Sequence, residues 1–124
     1  MSALFLSISL QLGLPPGLLS SLCYIESRHV AGVVHYNDGD SSSLGVCQIK
    51  YKTAKWLGFK GTSQQLMEPR INILYAGKYL KYQLTRYNWN VKRAVIAYNI
   101  GNAKMLTSTK YQRKVFNRWL TEAR

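Results

Sequence analysis

Apolar residues recur at helical spacing along most of this chain. Ala3 to Leu12 sets Leu4, Phe5, Ile8 and Leu12 on one face, and Gly13 followed by Pro15-Pro16-Gly17 ends that helix. A second helix is predicted from about Pro16 to His29, with Leu18, Leu19, Leu22, Cys23 and Ile25 as its apolar row. Proline is tolerated in its first turn because the N–H there lacks an intrahelical acceptor anyway. Glu26 extends the row of Leu19 and Leu22/Cys23 by one turn, so its carboxyl emerges beside apolar side chains. Such surroundings disfavour the ionised form and raise the pKa, as a general acid working near neutral pH requires.

Between Val30 and Leu44 the pattern gives way to Gly, Asp and Asn37 with the run Ser41-Ser42-Ser43, a composition that makes turns and a surface loop. Val46 to Tyr51 alternates as an extended segment does, Lys52 to Leu57 reads as a short helix ended by Gly58, and Thr62-Ser63-Gln64-Gln65 has the form of a capping box. The longest helix is predicted from Pro69 to Tyr87, with Ile73, Gly77, Leu80, Leu84 and Tyr87 on one face. Asn90 caps a helix over Val91 to Asn99, in which Ala94, Val95 and Tyr98 share a side and Gly101 follows the end. A last helix, Lys110 to Thr121, is expected to bury Val115, Phe116, Trp119 and Leu120. No repeat and no convincing set of paired strands is visible, so the fold class is mainly α, a single domain over residues 1–124.

Length and composition agree: 124 residues, 47% of them apolar, bury a core without staples. The charge is lopsided, since sixteen of the seventeen Lys and Arg lie from Lys50 onward and produce the net +12. That is a footprint for a polyanion, for which nucleic acid, an anionic membrane and an acidic cell wall all qualify. The two cysteines fit no zinc pattern; buried free thiols are expected, with a Cys23–Cys47 disulfide left open. No metal and no cofactor is implied. Met1 to Leu14 has no basic n-region and is shorter than the roughly 20 apolar residues of a membrane span, so it is read as a core helix and not as a signal peptide.

Glu26-Ser27, then Gly45-Val46-Cys47-Gln48-Ile49, then Ala97-Tyr98-Asn99-Ile100-Gly101 resemble, in order, the motifs of the soluble lytic transglycosylase domain and its relative, goose-type lysozyme. Thr53-Ala54-Lys55-Trp56-Leu57-Gly58 and Leu66-Met67-Glu68-Pro69-Arg70-Ile71-Asn72-Ile73 look like that family's connecting segments, so the likeness covers about residues 14–103. The resemblance implies a lysozyme-like helical fold and cleavage of the β-1,4 bond between N-acetylmuramic acid and N-acetylglucosamine in peptidoglycan. By matching positions it implies Glu26 as the catalytic acid, Gln48 and Tyr98 lining the sugar cleft, Asn99 with Gly101 closing the helix that carries Tyr98, and a substrate-contacting loop serine for which Ser41, Ser42 and Ser43 compete and Ser43 is favoured. Cys47 stands where the family usually has Met.

The carboxylates bear on mechanism. Glycosidases commonly use two, whereas substrate-assisted enzymes need one because the sugar's acetamido group does the second task. Glu68 precedes Pro69 at a helix start and Glu122 lies in the terminal turn, which leaves Asp38 and Asp40 as candidates for a second carboxylate. With Glu26 alone the product is a 1,6-anhydromuramic end; with Asp38 or Asp40 activating water the reaction becomes hydrolysis, as in goose-type lysozyme. Other readings are a non-catalytic cell-wall binding module, a nucleic-acid binder using Tyr79, Tyr82, Tyr87 and Trp89, for which no recognition motif is present, and a membrane-disturbing last helix. A basic lytic domain of this kind resembles phage endolysins and virion-associated lysins, expected to act as monomers on glycan strands and to be released by a holin or carried in a virion.

Overall fold

A computed structural model describes residues 1–36, 42–104 and 107–122, so Asp38 and Asp40 lie outside the described residues. The described elements are α1 (Ser2–Leu12), α2 (Leu18–Ser27), β1 (Val34–His35), β2 (Ser43–Leu44), β3 (Ile49–Lys50), α3 (Tyr51–Trp56), α4 (Ser63–Leu66), α5 (Pro69–Arg86), α6 (Val91–Ile100) and α7 (Lys110–Glu122). The fold is mainly helical, as the periodicity predicts. None of these helices is long and apolar enough to cross a membrane.

α5 is the axis of the molecule. Ile73, Ala76, Gly77, Leu80 and Leu84 are buried along it, and α1, α3, α4 and α6 pack around it. Gly77 lets α1 approach: a Cβ there would lie 2.7 Å from Leu12 Cδ1. The helix starts where Glu68, as N-cap, accepts a hydrogen bond from Ile71 N, with Pro69 at the first helical position. The Thr62/Gln65 capping box opens α4, and Asn90 caps α6 through Arg93 N.

Three expectations are corrected. Paired strands do exist: β1, β2 and β3 form a small antiparallel sheet with Val34 opposite Leu44 and Leu44 opposite Ile49. Each has two residues, too few to display an alternation that sequence reading detects. The cysteines are not free thiols, because Cys23 and Cys47 are disulfide-bonded with their Cα atoms 4.3 Å apart. Their meeting depends on α2 packing against the 45–48 turn, which no local pattern reports. Leu120 is not buried but 63% exposed. The stripe of α7 that turns inward is Tyr111, Val115 and Trp119, four residues apart, and Leu120 lies about 100° around the helix from Trp119. Trp119 is instead anchored by its indole N–H, which donates to Pro16 O at 2.8 Å.

The described residues form three apolar clusters. The largest joins α1, α2, α5, α6 and α7; a second, Leu44, Ile49, Ala54, Phe59 and Leu66, sits under the sheet, α3 and α4; a third, Ile96, Ala97 and Ala103, lies at the end of α6. The candidate site lies where the first two adjoin.

Candidate active site

The Gly45–Gln48 turn between β2 and β3 is tied at almost every peptide group. Gly45 N donates to Val33 O at 2.8 Å, Ser27 Oγ to Val46 O, and the Tyr98 hydroxyl to Cys47 O at 2.9 Å. Fully buried Asn72 of α5 supplies three more bonds, accepting from Cys47 N at 2.9 Å and donating to Leu44 O at 2.8 Å and Leu66 O at 2.9 Å. The Cys23–Cys47 disulfide then bolts the turn to α2, one helical turn before Glu26. Gly45 has to be glycine, because its φ is +78° and a Cβ would stand 2.4 Å from Asn72 Nδ2. The sequence motifs that are far apart along the chain therefore meet at one turn.

That turn fixes Gln48, whose own φ is +52°. Its side chain is buried and its Nε2 donates to both Val33 O (3.0 Å) and Gly45 O (2.9 Å). Oε1 must therefore accept from His35 Nδ1, which sets the histidine tautomer. With both amide protons engaged, Gln48 has a lone pair on Oε1 to offer a sugar.

Glu26 leaves the last turn of α2, half-buried, and enters the cleft. Its Oε2 accepts a 2.6 Å hydrogen bond from the Tyr111 hydroxyl of α7. Burial pushes the Glu26 carboxyl up from 4.5 to about 7, against the opposing effects of the Tyr111 hydrogen bond and the His35 charge. Burial also pushes the Tyr111 and Tyr98 hydroxyls well above the ordinary tyrosine value, and the neighbouring Glu26 charge adds to it. Both tyrosines therefore stay protonated and act as donors.

Glu26, Ser43, Gln48, Tyr98 and Asn99 line one cleft of about 350 Å³, so the structure brings five of the seven sequence candidates together. Ser43 arrives on β2, and Asn99 is exposed at the end of α6, whose C-cap Gly101 (φ +93°) donates to Ala97 O. Sequence reading missed Tyr111, which lies 85 residues from Glu26. Its signal was the Tyr111/Val115/Trp119 stripe, of which it is the polar-tipped member. Asn72 and His35 were also missed as positioning groups. Among the described residues, no three of His, Cys, Asp and Glu gather as metal ligands. Glu68 caps α5 and Glu122 pairs with Arg118, so neither reaches the cleft.

No curated protein matches the sequence. The family model of the transglycosylase SLT domain, however, matches residues 3–119, nearly the whole chain and every element that builds the cleft. With Glu26 in a cleft beside the Gly-x-x-Gln turn and the Ala-Tyr-Asn helix, the chain belongs to the transglycosylase SLT domain family, whose chemistry is peptidoglycan cleavage of the lytic transglycosylase type.

Proposed function

We propose that the protein cleaves the β-1,4 bond between N-acetylmuramic acid and N-acetylglucosamine without consuming water, with Glu26 as acid and then base. The observation that carries this reading is the Glu26 carboxyl at a pKa of about 7 in a cleft where, among the described lining residues, it is the one carboxylate. A group with that pKa is about half protonated at neutral pH, so the same oxygen atoms serve both proton transfers.

In the first step protonated Glu26 gives its proton to the glycosidic oxygen as the C1–O bond breaks, and the acetamido oxygen of the muramic residue bonds to C1. In the second, the Glu26 carboxylate takes the proton of the C6 hydroxyl, whose oxygen displaces the acetamido oxygen from C1. The products are a 1,6-anhydromuramic end and a free N-acetylglucosamine end, and Glu26 is again protonated. Tyr111 engages Oε2, which leaves Oε1 for both transfers. Ser43, Gln48, Tyr98 and Asn99 position the sugars, Gln48 and Tyr98 from side chains whose own bonds are already made. The net charge of +12 favours association with an acidic wall polymer.

Mass spectrometry of fragments released from purified peptidoglycan tests this, with wild type and Glu26→Gln compared. Anhydromuramic ends that vanish in the variant are the expected result. Reducing muramic ends overturn it in favour of hydrolysis assisted by Asp38 or Asp40, and no release by either protein favours a wall-binding module.

A further inference from the structure

The back of the catalytic helix carries a cavity of about 450 Å³ in the seam between α2 and α7. Tyr24, Ile25 and Arg28 line it from α2 and its C-terminal turn, and Lys114, Asn117 and Arg118 from α7. It has no lining residue in common with the cleft. Tyr24 lies about 160° around α2 from Glu26, so the two cavities open on different sides of that helix.

Three cations meet there. The Arg118 guanidinium is stacked over the Tyr24 ring, 3.6 Å from its centroid. Arg28 stands 5.6 Å from the same centroid, with Nη1 donating to the Tyr24 hydroxyl at 3.2 Å. One ring thus holds two guanidiniums in place. Lys114, one turn before Arg118, is exposed. Glu122 pairs with Arg118 at 2.8 Å, but no carboxylate among the described lining residues answers Arg28 or Lys114. Arg28 also occupies a backbone position that favours glycine: as the C-cap of α2 its φ is +57°, and His29 follows at +61°. A side chain kept at a left-handed position against that preference points to a task for the side chain itself.

We infer that this cavity is an anion site for the phosphodiester groups of a polyol-phosphate polymer of the cell envelope, an anchor separate from the glycan cleft. The choice of an envelope polymer rests on the peptidoglycan-cleaving reading of the cleft. Phosphodiester oxygens project tetrahedrally, so cations arriving from two helices can each face one, whereas a planar carboxylate is satisfied by one guanidinium fork. Tyr24 and Ile25 give the carbon chain of the polyol an apolar floor. One phosphate on exposed cations is held weakly. A polymer sets neighbouring phosphates along α7, where Lys110 and Arg113 are also exposed, and gains by multivalency. Nucleic acid fits less well, because Arg118 covers the Tyr24 face on which a base would stack. A bilayer also fits less well, since none of the exposed large apolar side chains lines the cavity to insert among lipids.

The test is calorimetric titration of the full chain with poly(glycerol phosphate). Arg28→Gly and Lys114→Gln are each expected to lower affinity about tenfold. Lys81→Gln, which removes the same charge from α5 and does not line the cavity, lowers it about twofold or less. Arg28→Gly keeps or raises its Tm, because glycine suits the left-handed position, so its loss of binding is not a loss of fold. Equal losses in all three variants overturn the site in favour of diffuse charge attraction, as does unaltered affinity in Lys114→Gln. A larger effect of Arg28→Gly and Lys114→Gln on phosphatidylglycerol vesicles or on a single-stranded oligonucleotide than on the polymer overturns it in favour of a membrane or a nucleic acid. Fragment release from peptidoglycan with no polymer binding by the wild type overturns the site and leaves the cleavage reading intact. If the wild type releases no fragments but the polymer binds through Arg28 and Lys114, the cleavage reading fails and the site stands.

Discussion

Glu26 and Gln48 line one cleft and are held there in opposite ways. Gln48 is buried with both amide protons and its oxygen engaged by Val33, Gly45 and His35, so its environment satisfies it. Glu26 has Tyr111 as its hydrogen-bond partner and is raised to about 7 by burial, so its environment opposes its charge. The helical body thus supplies a reactive group at the expense of stability, while the turn supplies a rigid frame that adds stability. Each side of that contrast can be broken separately.

Glu26→Gln has the largest effect. Fragment release falls by at least about 10³-fold, since one residue makes both proton transfers. The stability change has the other sign. The folded-state pKa of about 7 lies above the unfolded 4.5, so ionisation weakens the fold progressively as pH rises from 4.5 and fully above 7. Gln removes that effect, and urea unfolding is expected to show the variant gaining about 2 kcal/mol more at pH 8 than at pH 4, with allowance for partial solvent screening. An equal difference at both pH values would end the idea that Glu26 is held against its charge.

Asn72→Ala tests the frame. It orphans Cys47 N–H and two buried carbonyls, for a loss of about 3 kcal/mol that is measurable by urea unfolding. Activity falls with it, because the turn that orients Gln48 loosens. A loss below about 1 kcal/mol would mean that the turn holds without α5. Reduction of the Cys23–Cys47 bond is next, with a loss of about 2 to 3 kcal/mol for opening a link across 24 residues, read as a fall in Tm with reductant.

The same contrast separates what the sequence discloses from what it conceals. The helix bearing Glu26 is legible because burial follows a 3.6-residue period, and the motif blocks at 26–27, 45–49 and 97–101 identify the cleft before its shape is known. The caps at Thr62 and Asn90 and the helix start at Pro69 are local and equally legible. What is concealed is held by single long-range polar contacts: Tyr111 to Glu26, Asn72 to the turn and Cys23 to Cys47. The period of α7 marks Tyr111 as inward-facing but does not name its partner, the other two contacts leave no period, and strands of two residues are too short to have one.

Tyr111→Phe makes the smallest and most diagnostic change. The hydroxyl donates to the carboxylate and so favours the ionised form; without it the Glu26 pKa rises further. Maximal cleavage drops a few-fold as Oε2 loses its anchor. Below pH 6 both proteins hold Glu26 mostly protonated, and the drop is all that is seen. As pH rises through 7 the wild type loses its acid form first, so the ratio of variant to wild-type rate climbs with pH. A pH–rate profile of fragment release measures that ratio directly. If it stays flat from pH 5 to 9, Tyr111 only orients the carboxyl, and burial by the helical body alone sets the proton affinity of Glu26.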